Sequence, residues 1–343
     1  MTDKNYSPRL IPKLLAQESP KLDVLSFIDV GCSGGIDPLF TNAFGNRLKG
    51  VAFDPIVSEI ERLKAENDNP NITFEAAYVS SPNHKHLFPD EAKAKARETG
   101  FFERTSSAVA LGSDFEKYAE KYYNLKGDIQ FTEKRIALDD YCDAHTITEV
   151  DFLKIDTDGS DYDVLLSAEK LLSKTVLGAV VEANFHGFQH PHSNIFYNID
   201  RFMGERGFTL WDIDMARYSR GALPMPFLHQ IPAQTTGGAV VWGDAYYFRD
   251  LANVDYEKTW GMSFTPRQIL ALGSLYDLFG FPDCAAELML KRADVFKPLT
   301  RNEYLDVLVP PFFPGLQGYD EYIGLFKMRP DFWFPKSGFF GKK

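Results

Sequence analysis

Short apolar runs alternate with stretches whose apolar residues recur every three or four positions, a pattern that predicts strands exchanging with helices. Leu25 to Val30 reads as a first strand. Gly31, Gly34 and Gly35 follow as a turn, and Asp37-Pro38 supplies an N-cap and a first-turn proline for a helix carrying Leu39, Phe40, Ala43 and Phe44. Lys49 to Asp54 is a second strand, Pro55 opens a helix with Ile56, Ile60 and Leu63 on one face, and Ile72 to Val79 is a third strand. This β-α-β-α-β order predicts the first half of a doubly wound, mostly parallel sheet.

Residues 82 to 135 interrupt the alternation as an insertion. It holds a polar loop with His84 and His86, a charged helix over 90–99, the segment Phe101 to Ser107, and a helix opened by Ser113-x-x-Glu116. The alternation resumes with the strand Asp151 to Asp156, the turn Thr157-Asp158-Gly159, and a helix capped by Ser160-x-x-Asp163 with a stripe from Val164 to Leu172. Leu177 to Ala183 is apolar enough for a strand covered on both faces. A helix over 194–206 stops at Gly207, and the strands Phe208 to Ile213 and Ala245 to Arg249 flank a loop rich in Pro and Gly. Beyond residue 253, Thr265-Pro266 and Asp283 open two helices split by Gly280-Phe281-Pro282, and an aromatic tail follows. The expected division is a domain over 1–252 and a helical, aromatic-rich extension over 253–343, the latter a candidate surface for a homo-oligomer.

The glycine turn narrows the ligand. A dinucleotide fingerprint needs a third-position glycine to admit a pyrophosphate, and Ser33 stands there. Asp29 at the strand end suits an ammonium group instead, and Asp54 lies where an acid accepts hydrogen bonds from ribose hydroxyls. S-adenosylmethionine carries an ammonium and a ribose diol and has no phosphate. The expected cofactor set is Asp29, Gly31, Ser33, Gly34, Gly35, Asp54, Pro55, Ala77 and Asp156.

Composition changes the picture in two ways. A net charge of −11 argues against nucleic acid as a partner and leaves small molecules and glycans open. The cysteines, Cys32, Cys142 and Cys284, are odd in number and widely spaced, which indicates neither a disulfide framework nor a zinc site and suits a reducing cytoplasm. No apolar run reaches the roughly 20 residues of a membrane span.

The segments Phe27-Ile-Asp-Val-Gly31, Val51-Ala-Phe-Asp-Pro55, Ala137-Leu-Asp-Asp-Tyr141 and Asp151-Phe-Leu-Lys-Ile-Asp-Thr-Asp-Gly159 resemble, in this order, the FkbM-type methyltransferases of the class I S-adenosylmethionine-dependent enzymes. Val180-Val-Glu182 and Asp244-Ala-Tyr-Tyr-Phe-Arg249 are similar to the family's closing strands, so the resemblance spans about 25–250. The family usually has Val-Glu-Gly where Thr157-Asp158-Gly159 stands, and Glu in place of Asp54. The resemblance implies a Rossmann-like, seven-stranded α/β fold, bound S-adenosylmethionine, and O-methylation of a hydroxyl on a sugar, glycan or secondary metabolite.

Methyl transfer to a hydroxyl needs alignment and a proton acceptor or a metal. Strand ends gather the candidates: Asp156, Glu182 and His186 as catalytic residues, with His186 favoured as base because imidazole titrates near neutral pH. The same three side chains would hold a divalent ion such as Mg2+ if one is used. Competing readings are plainer. Asp158 suits a turn, His190 and His192 flank a proline in a surface loop, Lys154 pairs with a neighbouring acid, Cys32 is a small turn residue, and the Phe101–Ser107 segment serves either the core or an acceptor pocket. A nicotinamide-dependent oxidoreductase and a non-catalytic scaffold using the C-terminal helices are the alternative functions.

Overall fold

A computed structural model describes residues 7–83, 130–187, 189–219, 225–226, 234–296, 298–309 and 318–328. The 90–99 helix, the Phe101–Ser107 segment and the Ser113-x-x-Glu116 cap lie outside these. The chain divides into two compact units, one of Met1–Lys4 with Asp23–Asp250 and one of Asn5–Leu22 with Leu251–Lys343.

The first unit is built on a seven-stranded sheet with the order β3-β2-β1-β6-β7-β9-β8. Its strands are β1 (Leu25–Val30), β2 (Leu48–Asp54), β3 (Ile72–Ala76), β6 (Phe152–Ile155), β7 (Gly178–Asn184), β8 (Phe208–Tyr218) and β9 (Ala239–Arg249). All pairings are parallel except β9 with β7 and β8 with β9. The sequence's single third strand is broken at Ala77: β4 (Tyr78–Val79) leaves the sheet and pairs with β5 (Arg135–Ile136). Strands β8 and β9 run longer than the apolar pattern suggested, because cross-strand bonding continues through polar and small residues past the edge of the core.

One sheet face is apolar. Ile28, Val30, Val51, Phe53, Leu153, Ile155, Val181 and Tyr247 pack there against α4 (Leu138–Ala144), α5 (Asp161–Ser167) and α7 (Phe196–Gly204). On the other face Phe27 and Phe152 lie 6.1 and 5.2 Å from the ring of Phe40 in α2 (Pro38–Phe44), whose N-cap Asp37 accepts from the Leu39 amide. Helix α3 (Val57–Glu66) and the short α6 (Glu169–Leu172) complete the described helices of this unit. Arg249, fully buried, donates to the carbonyls of Val176, Arg206 and Leu172, which ties the last strand to the end of α6.

The second unit holds α1 (Ile11–Ala16), α8 (Tyr256–Trp260), α9 (Pro266–Leu278), α10 (Pro282–Lys291), α11 (Pro298–Leu308) and α12 (Tyr319–Met328). Thr265 and Gln268 close a capping box on α9, and Gly280, at φ +75°, breaks the chain before α10 as the sequence suggested. The segment 5–22, which sequence reading assigned with 1–252, belongs instead to this unit. Its physical tie is Asp277, whose Oδ2 accepts from the Leu10 and Ile11 amides at 2.7 and 3.0 Å. Among the described residues no helix is long and apolar enough to cross a membrane.

Candidate active site

The first turn is shaped by its neighbours. The amides of Gly31 and Cys32 donate to the Phe53 carbonyl on β2 at 2.8 and 3.1 Å. Gly31 has φ +87°, and a Cβ there would lie 1.7 Å from the Asp156 carbonyl oxygen, so glycine is required by the approach of the β6 end. Gly34 gives its amide to Glu59 Oε1 at 2.7 Å. Gly34 and Gly35 line a groove of about 440 Å³ between α2 and α3, separate from the strand-end cavity described next. Cys32 is buried, which raises its thiol pKa, and it behaves as a turn residue.

At the carboxyl ends of β1, β2 and β6 lies a cavity of about 300 Å³. Gly31, Ser33, Asp54, Pro55, Ala77 and Asp156 line it, together with Tyr78, Phe131 and Arg135, which sequence reading missed because the insertion separates Arg135 from its strand partner. The guanidinium of Arg135 sits 4.7 Å from the ring centre of Tyr78. Asp54 is 5% exposed and accepts from the Ile56 amide at 2.8 Å. Burial, reinforced by the charge of Glu59, pushes its carboxyl up to about 6 against the opposing amide hydrogen bonds of Ile56 and Ser33. Ser33 Oγ is buried and has no hydrogen-bond partner, an unmet polar atom in the cavity wall.

Asp29 does not reach this cavity wall. It is buried beneath Lys154, whose Nζ lies 3.3 Å from Asp29 and 3.6 Å from Asp156, so a cation of the chain itself already answers the acid expected to meet the cofactor ammonium. Burial outweighs that partner and lifts the Asp29 carboxyl to about 6. Burial lowers the affinity of Lys154 for its proton, but Asp29 and Asp156 more than offset this and raise it.

The turn after β6 is organised by Asp161, not by the Ser160 side chain, which makes no capping bond. Asp161 accepts from the Thr157 amide at 2.8 Å, the Thr157 hydroxyl at 3.0 Å, the Gly159 amide at 3.2 Å and Asn194 Nδ2 at 2.9 Å. Asp158 has φ +53°, the left-handed geometry that aspartate tolerates in turns.

Beyond Asp156 the same sheet face stays acidic. Register places Glu182 on β7 opposite Asp244 on β9, and Asp244 opposite Asp214 on β8. Burial first, then the charges of Asp161, Asp156, Asp158 and Asp244, push Glu182 up to about 10. Burial, with Asp156 next, lifts Asp244 to about 7 against the pull of Lys154. Asp244 is the acid that sequence reading passed over; its antiparallel pairing with Glu182 carries no local motif.

The structure thus brings Asp156 and Glu182 to neighbouring strand ends. His186 is exposed in the loop after β7, with Nε2 2.8 Å from the Val240 carbonyl. The rings of His190 and His192 lie 5.8 Å from each other, with His190 Nδ1 accepting from the His192 amide, and the His192 ring is 6.2 Å from that of Tyr162 in α5. Among the described residues no group of three or more His, Cys, Asp or Glu side chains is arranged to hold a metal ion.

A mostly parallel seven-stranded sheet closed by an antiparallel pair and flanked by helices has the class I methyltransferase architecture. The family model described as the methyltransferase FkbM domain matches residues 37–210, and the chain belongs to that family. The match begins after the glycine turn and ends before β9. Among solved structures the chain is similar to a TehB-like SAM-dependent methyltransferase from Corynebacterium glutamicum, with 11% identity over 72% of this chain and 89% of that one and a TM-score of 0.28. It is also similar to the precorrin-6y C5,15-methyltransferase of Geobacter metallireducens, with 8% identity, 73% and 97% coverage and a TM-score of 0.30. A SAM-dependent methyltransferase from Anabaena variabilis shows 12% identity, 70% and 82% coverage and a TM-score of 0.30. A comparison with curated proteins finds no match.

Proposed function

We propose that this methyltransferase uses S-adenosylmethionine and methylates a hydroxyl of a sugar, glycan or secondary metabolite. The observation that carries the reading is the cavity holding both the unpartnered Ser33 Oγ and the strand-end Asp54, and sharing Asp156 with the acid row. The residues fit the cofactor. Ser33 offers a hydroxyl in need of a partner, Asp54 a carboxylate for a ribose diol, and Gly31 and Ala77 a wall without bulk. The bound cofactor would supply an activated methyl group.

The chain's own work is alignment, exclusion of water and handling of one proton. Asp156 stands between the cavity and the acid row, where an acceptor hydroxyl must meet the methyl donor. Asp244, poised near 7, suits a general base at neutral pH better than the exposed, carbonyl-bound His186. Glu182, neutral until about 10, would act as a hydrogen-bond donor to the acceptor oxygen.

Calorimetry with S-adenosylhomocysteine and with NADH tests the cofactor. Binding of the first without the second is expected. NADH binding alone would favour an oxidoreductase, against which Ser33 stands.

A further inference from the structure

We propose that Glu59 is a specificity-determining residue: its carboxylate takes the place at the glycine turn that a nucleotide phosphate would need, and closes the turn to phosphate-bearing cofactors. This rests on the methyltransferase reading above and assigns part of its selectivity to a residue behind the cavity wall.

A strand, a glycine turn and a helix bind an anion when the turn leaves its N–H groups unpaired. From Gly31 to Gly35 this chain has already used them. The amides of Gly31 and Cys32 donate to the Phe53 carbonyl, that of Ser33 to Asp54, that of Gly34 to Glu59, and that of Gly35 to the Cys32 carbonyl at 2.9 Å. The helix beyond adds nothing: Pro38 has no N–H, and Asp37 holds the Leu39 amide through its side chain and the Phe40 amide through its carbonyl.

The acceptor at Gly34 is charged and rigidly held. Glu59 stands in the first turn of α3 and is fully buried. Its Oε1 accepts from the Gly34 amide at 2.7 Å, while Arg62, one turn on, donates through Nε to Oε2 at 2.9 Å and through Nη2 to Oε1 at 2.6 Å. A carboxylate gripped by an amide and a two-pronged guanidinium keeps its charge at one point.

Space does not exclude a phosphate here. A Cβ on Gly34 would meet nothing within 4 Å. The turn is the ridge between the strand-end cavity, lined by Gly31 and Ser33, and the groove lined by Gly34, Gly35 and Arg62. What a phosphate would lack on this ridge is an N–H donor, and what it would meet is the negative charge of Asp54 and Glu59. The polar atom the turn leaves without a partner is Ser33 Oγ, which suits a cofactor that carries no phosphate.

The test measures, by calorimetry on the full chain, the affinities of S-adenosylhomocysteine, adenosine and ADP; the last two share base and ribose and differ in the diphosphate. The parent is expected to bind S-adenosylhomocysteine, and to bind ADP at least about tenfold more weakly than adenosine. Glu59→Gln keeps an acceptor for the Gly34 amide and removes the charge, so it should hold S-adenosylhomocysteine within about threefold of the parent and bring ADP at least about fivefold closer to adenosine. A purely structural Glu59 would weaken all these ligands together; that result, an unchanged gap, or ADP binding the parent as tightly as adenosine would overturn the assignment. Should Glu59→Gln not fold, Arg62→Gln decides. With its counter-charge gone, Glu59 should drive ADP at least about threefold further from adenosine, and an unchanged or smaller gap overturns the assignment. If S-adenosylhomocysteine binds the parent and the gap ignores Glu59, only this assignment falls; if S-adenosylhomocysteine itself fails to bind, the methyltransferase site falls with it.

Discussion

Gly31 and Asp156 meet backbone to backbone: a Cβ on the first would lie 1.7 Å from the carbonyl oxygen of the second. The contact joins the two strand ends that frame the strand-end cavity. Gly31→Ala should therefore cost roughly 3 kcal/mol or more of stability, since backbone must move and φ is +87°. Chemical denaturation checks this; a variant as stable as the parent would show that β1 and β6 are not held at this distance.

Asp54 serves the fold through the Ile56 amide and, in the proposed reading, the ligand as well. Asp54→Asn keeps an oxygen for the Ile56 amide and should bind S-adenosylhomocysteine roughly tenfold more weakly, whereas Asp54→Ala should lose more. In the parent, affinity should fall as pH drops through about 6, because protonation removes a carboxylate acceptor from the ribose. Titration calorimetry at several pH values reads both effects.

Asp244 as base predicts turnover that rises with pH through about 7. Asp244→Asn should lower kcat by roughly a hundredfold or more and remove that rise, while His186→Ala keeps the parent profile. A flat profile in His186→Ala with Asp244→Asn active would return the base to His186.

Glu182 is protonated in the folded chain up to about 10, against 4.5 as its ordinary value. The folded state therefore holds a proton that the unfolded state releases, and its contribution is fully present below 4.5 and declines as pH rises toward 10. Glu182→Gln imitates the neutral acid and should flatten the alkaline fall in melting temperature. An unchanged fall would mean that Glu182 is charged in the native protein.

Asp277 is fully buried and satisfies two amides at the start of α1. Asp277→Ala should destabilise the helical unit by roughly 2 to 3 kcal/mol through the orphaned N–H groups. Hydrogen exchange at Leu10 and Ile11 would report it directly; unaltered protection there would refute the tie.

Much of the first unit was legible because its signals are local. The apolar run at 25–30, the cap Asp37-Pro38 and the glycine at 207 each act within a few residues, and the elements stand where these put them. The break at Ala77 was not legible, since β4 finds its partner across the insertion.

The cavity residues Ser33, Asp54 and Asp156 could be read in advance because strand ends in a doubly wound sheet converge by topology. The occupation of Asp29 by Lys154, the pairing of Glu182 with Asp244 and the placement of 5–22 with the C-terminal helices depended on contacts between distant segments. Periodicity, caps and turn residues encode what a chain does with its near neighbours. Charge partners, register and burial exist only once strands far apart in sequence lie side by side, and for these acids that decides which carries a proton at neutral pH.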